Sequence, residues 1–283
     1  MSAHPEASAA SATRSAPSRS PMTRTAVRWL KGSVSIAAVV SIWWMVTDGM
    51  HLFTPLVLPS PLTVVKSAWD LIFDPELQLF SGGIYNGNLI GHALVSTGRV
   101  ALGFAMGVMV AVPLGVLIAR SAALEPYVDP LLQILRPIPP IAWTPLAILW
   151  FGLGLKGIVF LIFLGAFWPM LLNTISGVRE VPPILGRAAY SLGASRRQVL
   201  FTVVLPAAIP FLFTGLRLSF GSAWITIVAA ELIAASEGLG YLIMNARRIL
   251  AAPDIIVGML TIGLLGLAFD RLFRSLERRL YAR

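Results

Sequence analysis

The sequence has no cysteine. That excludes a disulfide framework, a zinc–thiolate site and a thiol nucleophile. Charge is also scarce. Only 12% of the 283 residues are Asp, Glu, Lys or Arg, against about 25% in soluble domains. Three histidines, His4, His51 and His92, are scattered along the chain; they read as solvated or interfacial groups, and no metal site is expected. The chain has no G-x-x-x-x-G-K-[ST] loop to cradle ATP phosphates. It has no G-x-S-x-G nucleophile elbow either. These absences argue against an enzyme, and no cofactor is expected.

What remains is apolar. Hydrophobic residues make up 57% of the chain and the net charge is +9. The basic residues flank apolar runs instead of covering a soluble face, which argues against nucleic acid as the partner and for a lipid bilayer as the solvent. An apolar helix needs about 20 residues to cross. Candidate spans start near Gly32–Val46 and continue at about Leu94–Ala119, Leu131–Phe151, Ile158–Gly177, Ala207–Ala235 and Ile255–Phe273. The fold expected is all-α and polytopic, with about six transmembrane helices. Residues 1–25, rich in Ser, Ala, Pro and Arg, read as a disordered basic tail. No small-residue cleavage site closes the first apolar run, so it reads as an uncleaved span.

Lys and Arg set the orientation. Arg14, Arg19, Arg24, Arg28, Lys31, Arg120, Arg179, Arg187, Arg196, Arg197 and the C-terminal Arg271, Arg274, Arg278, Arg279 and Arg283 fall on one side of this arrangement. The other side holds Lys66, Lys156, Arg247 and Arg248, with Arg99 near a boundary. Both termini are therefore expected in the cytoplasm. The domains expected are 26–91 (first span and external loop), 92–276 (the transmembrane domain, with a cytoplasmic loop at 179–206) and a basic tail at 277–283. In the external loop, Leu62, Val65, Trp69 and Ile72 recur at helical spacing. They predict a short helix, resting on the outer interface or packed on the bundle.

The stretch GRAAYSLGASRRQVLFTVVLP, residues 186–206, is too polar to cross lipid. Pro182 and Pro183 suit the first turn of a helix, and Gly193 suits its stop. Ser195 with Gln198 three residues on fits a capping box that starts a second helix. Small residues at Ala188, Ala189, Gly193 and Ala194 leave room for another surface to approach closely. Two amphipathic helices resting on the bilayer would show the same features.

This stretch resembles the cytoplasmic signature of ABC importer permeases, E-A-A-x3-G-x9-I-x-L-P. Here it reads Arg187-Ala188-Ala189, Gly193, then Val203-Val204-Leu205-Pro206. The spacing matches throughout; Arg187 stands where Glu is usual and Val203 where Ile is usual. Further stretches, among them RPIPPIAWTPLAILWFGLG and SLGASRRQVL, look like the permeases for nitrate, taurine, alkanesulfonates and bicarbonate.

The resemblance implies the type I ABC importer permease fold in the inner (plasma) membrane of a bacterium. It implies that Arg187, Ala188, Ala189, Gly193, Ala194, Ser195, Gln198, Leu205 and Pro206 couple the chain to an ATP-binding subunit. Two copies of that subunit, a periplasmic or surface-tethered solute-binding protein and a second permease are the expected partners. The solute expected is a small oxyanion such as taurine, an alkanesulfonate or nitrate. A neutral heterocycle such as a pyrimidine vitamin precursor is the alternative, and a non-transporting scaffold or an ion-gradient transporter are alternatives of other classes.

Pathway candidates come from the membrane runs. Pro137, Pro139, Pro140 and Pro145 remove backbone donors from one stretch. Such backbone at membrane depth must be buried in protein or line a wet cavity. Pro139, Pro140 and Trp143 are therefore candidate lining residues; a structural re-entry is the alternative. Arg217 and Glu231 are ionisable groups in one apolar run and should face the bundle. They stand about 21 Å apart along a straight helix, so they cannot pair with each other there. Gly103 and Gly107 form a G-x-x-x-G packing face.

Overall fold

The computed structural model describes residues 21–73, 88–121 and 123–281. These residues are helical with no strand among them. The expected tail up to residue 20 lies outside them. The chain divides into two compact units, Met1–Phe53 and Thr54–Arg283.

The first unit contains α1, Pro21–Trp44, continued by a π-helical turn at Met45–Gly49. Its stretch Gly32–Gly49 is long and apolar enough to cross a membrane. Val34, Ile36, Val39 and Ile42 are all exposed, as expected of a lipid-facing helix. The helix starts at Pro21, ahead of the boundary expected at residue 25.

The second unit is a helical bundle. Its elements are α2 (Pro61–Phe73), α3 (Leu89–Arg120), α4 (Glu125–Leu135), a 3₁₀ turn (Pro140–Trp143) leading into α5 (Thr144–Phe151), and α6 (Leu155–Arg179). Then follow α7 (Pro183–Ser191), α8 (Arg196–Val199), a π-helical turn (Leu200–Val204), α9 (Leu205–Ala234), α10 (Leu239–Arg248) and α11 (Ala252–Tyr281). The spans α3, α6, α9 and α11 coincide with four expected ones and extend them. At about 1.5 Å per residue, the 32 residues of α3 reach about 48 Å, more than the hydrocarbon core of about 30 Å. The basic residues Arg278 and Arg279 continue α11 instead of forming a separate tail.

The centre of the bundle is α6. It is apolar all round and buried on all sides at Ile158, Leu161, Ile162, Ala166, Met170 and Leu171, as a helix of that pattern must be. α3 runs parallel to it along a seam of small residues. A Cβ at Gly103 would sit 2.7 Å from Ile162, one at Gly107 would sit 2.8 Å from Ala166, and one at Gly115 would sit 2.8 Å from Thr174. The expected G-x-x-x-G face is thus real, and it runs on by helical spacing through Ala111, which is fully buried. α9 closes on the other side of α6, antiparallel, with Gly165 against Thr226 and Gly177 against Phe211. In lipid, such close backbone approach supplies the dispersion contacts that hydrophobic burial supplies in water. An aromatic cluster of Phe104, Phe220, Trp224, Phe269 and Phe273 then ties α11 to α3 and α9.

α2 packs on α11 through buried Val64 and Leu71, and its Ser67 hydroxyl donates to the Asp254 carboxylate. Leu62, Val65, Trp69 and Phe73 point away and are exposed. The helix is therefore packed on the bundle, one of the two expected alternatives. One face packs on the bundle and the other presents an apolar stripe.

One expected span is not continuous. Residues 131–151 form the candidate span that its prolines mark as broken, and α4 and the segment Pro140–Phe151 meet at 86°. Prolines 137, 139 and 140 remove three of four successive backbone donors and break the helix. α10, between Gly238 and Ile249, is an element the hydropathy pattern did not show.

Candidate functional site

Three arrangements in this bundle go beyond packing. The first is the α7–α8 turn. Pro183 stands in the first turn of α7, where its missing N–H costs nothing. At the other end of α7 the Gly193 N–H donates to the Tyr190 carbonyl (2.9 Å) and the Ala194 N–H to the Ala189 carbonyl (3.1 Å). These two bonds make a Schellman stop. The residue between them must take the left-handed region, and Gly193 has φ +82°.

The capping box is present. The Gln198 N–H donates to Ser195 Oγ (3.3 Å), and the Ser195 N–H donates to Gln198 Oε1 (2.7 Å). The resulting corner is rigid and sits in the open. Arg187, Ala188, Gly193, Ser195 and Gln198 are exposed, and Ala189 and Ala194 are half-buried. Leu192 at the apex is 89% exposed, more than any other large apolar side chain among the described residues.

The corner feeds directly into a long helix. Pro206 lacks an N–H and its ring crowds the carbonyl one turn back. The chain responds by widening. The Leu205 N–H reaches five residues back, to Leu200, closing a π-helical turn just before the proline. Such turns put an identifiable irregularity into an otherwise straight helix. So α8, the π-helical turn and α9 form one 39-residue helical run, Arg196–Ala234. The corner is thus joined without interruption to this rod.

The second arrangement is the broken segment. Pro139 is exposed, Pro140 is half-buried, and Trp143 packs against the main core beside Ala147 and Ile158. Thr144 is buried, and its hydroxyl returns to the Ile141 carbonyl at 2.7 Å. Trp150 is exposed and makes edge contacts with Phe151 and Phe160.

The third is a buried polar cluster at the end of the bundle opposite the corner. His92, Ser96 and Arg99 follow at helical spacing along one face of α3, and all are at least 93% buried. Glu231 of α9 is 1% exposed. The Arg99 guanidinium donates to Glu231 Oε1 (2.8 Å), to the Glu237 carbonyl (2.6 Å) and to Glu237 Oε1 (3.2 Å). Ser96 donates to both Glu231 oxygens (3.0 and 2.8 Å). The backbone completes it. Gly240 N–H donates to Glu231 Oε2 (3.0 Å), Leu239 N–H to Ser96 Oγ (2.9 Å) and Gly238 N–H to His92 Nδ1 (2.9 Å).

These three N–H groups are orphans of the α9–α10 break. His92 and Ser96 of α3, more than a hundred residues away, satisfy the Gly238 and Leu239 N–H groups, and Glu231 near the end of α9 satisfies that of Gly240. A Cβ at Gly238, which has φ +112°, would run into the Glu231 carboxylate. His92 was expected to be solvated or interfacial; it is buried because Gly238 needs its ring nitrogen.

The sequence-derived pathway candidates are not brought together. Glu231 joins Arg99. Arg217 lies toward the other end of α9, 3.5 Å from Glu277 of α11. Pro139, Pro140 and Trp143 belong to the broken segment. Among the described residues no cluster of His, Asp and Glu fits a metal ion.

The family described as binding-protein-dependent transport system inner membrane component matches residues 111–281. The chain belongs to this family. It is a permease component of an ABC importer. Over 246 residues it is 36% identical to the taurine transport system permease protein TauC of Escherichia coli (strain K12), covering 87% of this chain and 86% of that one. It is 34% identical over 248 residues to the nitrate import permease protein NrtB of Synechocystis, covering 88% of each. Among solved structures, a chain of the MetNI methionine ABC transporter, in inward facing conformations, matches with a TM-score of 0.55. That match has 21% identity and covers 72% of this chain and 99% of that one. The fold of this permease is the type I importer fold, and it is a multi-pass inner-membrane protein.

The family's signature therefore lies on the exposed corner. The departure at Arg187 falls on an exposed position of α7, so the substitution leaves the permease's own packing untouched. The buried cluster was only half legible. Glu231 stood out as an ionisable group in an apolar run, which needs a partner; Arg99 was placed only near a span boundary. Glu237 and the backbone of the break carried no such signal.

Proposed function

We propose that this permease lets a small solute across the membrane when two ATP-binding subunits close against the α7–α8 corner. The observation that carries the proposal is the corner itself. It is an exposed, doubly capped turn with Leu192 at its apex, continuous with a 39-residue helical run. A solute-binding protein delivers the solute at the opposite end. The distribution of Lys and Arg supports a cytoplasmic corner and cytoplasmic termini. Two permease copies face each other across the pathway, and transport is an exchange between two packings of the spans. Arg187, Ala188, Ala189, Gly193, Ala194, Ser195, Gln198, Leu205 and Pro206 form the docking element. Pro139, Pro140 and Trp143 line or border the path.

For the solute we propose a small oxyanion, with taurine or another alkanesulfonate first and nitrate second. The support is the likeness to TauC and NrtB. A second reading, a neutral heterocycle, draws on one observation. Arg217, the cation within the α9 span, stands beside the Glu277 carboxylate, and Arg99 is matched by Glu231 and Glu237. Uptake of labelled taurine, an alkanesulfonate, nitrate and a pyrimidine should be measured in cells carrying the complete transporter, with and without this gene. We expect sulfonate or taurine uptake to require the gene. Dependence of the pyrimidine alone would replace the oxyanion reading and keep the importer.

A further inference from the structure

A groove of about 520 Å³ lies between the end of α3 and the start of the α9 rod. Its size falls within the ligand-cavity range of about 300–1,000 Å³. Val112, Val116 and Leu117 form one wall, and Leu200, Phe201 and Leu205 the other. No carboxylate lines it. Its one charged lining residue is basic. Arg120, exposed at the last turn of α3, lines the groove. The Arg197 guanidinium stands 6.0 Å from the ring centroid of Phe201, a residue of the second wall. Neither arginine has an ion-pair partner among the described residues.

An apolar slot topped by two uncompensated guanidiniums at the end of two spans has a definite complement. It suits a molecule with a long apolar tail and an anionic head. We propose that the groove binds an anionic glycerophospholipid. One acyl chain lies along Val112, Val116, Leu117, Leu200 and Leu205, and Arg120 and Arg197 hold the phosphate. Basic pockets between helices on the cytoplasmic side are suited to such head groups, and guanidinium matches phosphate geometry bidentately. The placement in the inner leaflet rests on the orientation proposed above; the groove and its charges do not. A second copy of the chain is a poorer occupant. Seated symmetrically, it would bring the same two arginines against their own images. Because the site shares Leu205 and the π-helical turn with the coupling rod, a bound lipid also braces the base of the corner.

The test uses the full chain in nonionic detergent, with labelled phosphatidylglycerol and phosphatidylcholine as probes. One basic contact is worth about fivefold in affinity. Phosphatidylglycerol should therefore bind about 25-fold more tightly than phosphatidylcholine, and less so at high salt. The R120Q/R197Q double variant should lose about 25-fold for phosphatidylglycerol and almost nothing for phosphatidylcholine. R120K/R197K should restore most of the preference. Val116→Trp, which fills the slot, should weaken both lipids, while free glycerol phosphate should compete poorly. Equal binding of the two lipids, or full preference in R120Q/R197Q, would overturn the site. So would lipid binding by monomers that is lost in a dimer, since a second copy would then occupy the groove. No ATP-binding subunit is needed for the measurement. A chain that binds the lipid yet imports nothing refutes the transport reading alone, and one that imports without lipid preference refutes this site alone.

Discussion

Arg99→Met should destabilise the folded bundle by about 3–5 kcal/mol, the cost of leaving a buried charge without its partner. The reason is geometric. The Arg99 guanidinium reaches both Glu231 and the backbone and side chain of Glu237. Without it, the Glu231 carboxylate keeps only Ser96 and the Gly240 N–H. Glu231→Ala should also be costly, because it removes the buried carboxylate that Arg99, Ser96 and the Gly240 N–H share and leaves Arg99 only Glu237. Glu231→Gln should be milder, since the amide oxygen still accepts two of those bonds. The Arg99→Met/Glu231→Gln pair should lose less than the sum of the single losses. Thermal unfolding of the detergent-purified chain, followed through its tryptophan fluorescence, reads these effects. If all four variants melt with the parent, the cluster does not hold the α9–α10 break.

The second large effect belongs to Gly193. A Cβ built there meets nothing within 4 Å, so sterics with neighbours are not the obstacle. The obstacle is φ +82°, which costs a non-glycine residue about 1–3 kcal/mol and a β-branched one most. Gly193→Val should abolish ATP-driven uptake while membrane insertion and melting stay near the parent's, because the turn is exposed and remote from the core. Gly193→Asn should retain most uptake, since asparagine visits the left-handed region readily. Gly193→Ala should fall between them. A valine variant that transports normally would mean the Schellman stop is not needed for coupling.

What the sequence revealed and what it withheld divide along sequence separation. The corner was legible because its causes are local. Pro183, Gly193, Ser195 and Gln198 each act within one turn of themselves, and each sits where its chemistry requires. The spans were legible because lipid imposes a single rule on length and polarity. The prolines of 137–140 announced a break, but they forbid hydrogen bonds without dictating a direction, so the 86° bend had to come from packing. The Arg99–Glu231 pair joins residues 132 positions apart. No spacing rule links them until the α3–α6–α9 seams bring the helices together. His92 was misjudged for the same reason: its partner, the Gly238 N–H, is a donor that only the α9–α10 break leaves open.

The central claim is that the α7–α8 corner docks the ATP-binding subunit, and the cysteine-free sequence makes it directly measurable. Single cysteines should be placed at Leu192 and, as a control on the other side of the protein, at Trp69; both side chains are exposed. Each variant is assembled with its ATP-binding subunits and treated with a short thiol-directed photocrosslinker. The Leu192→Cys chain should cross-link to the ATP-binding subunit, with a yield that changes when nucleotide is added, and the Trp69→Cys chain should not. Cross-linking from Trp69→Cys, with none from Leu192→Cys in the presence or absence of nucleotide, would contradict it.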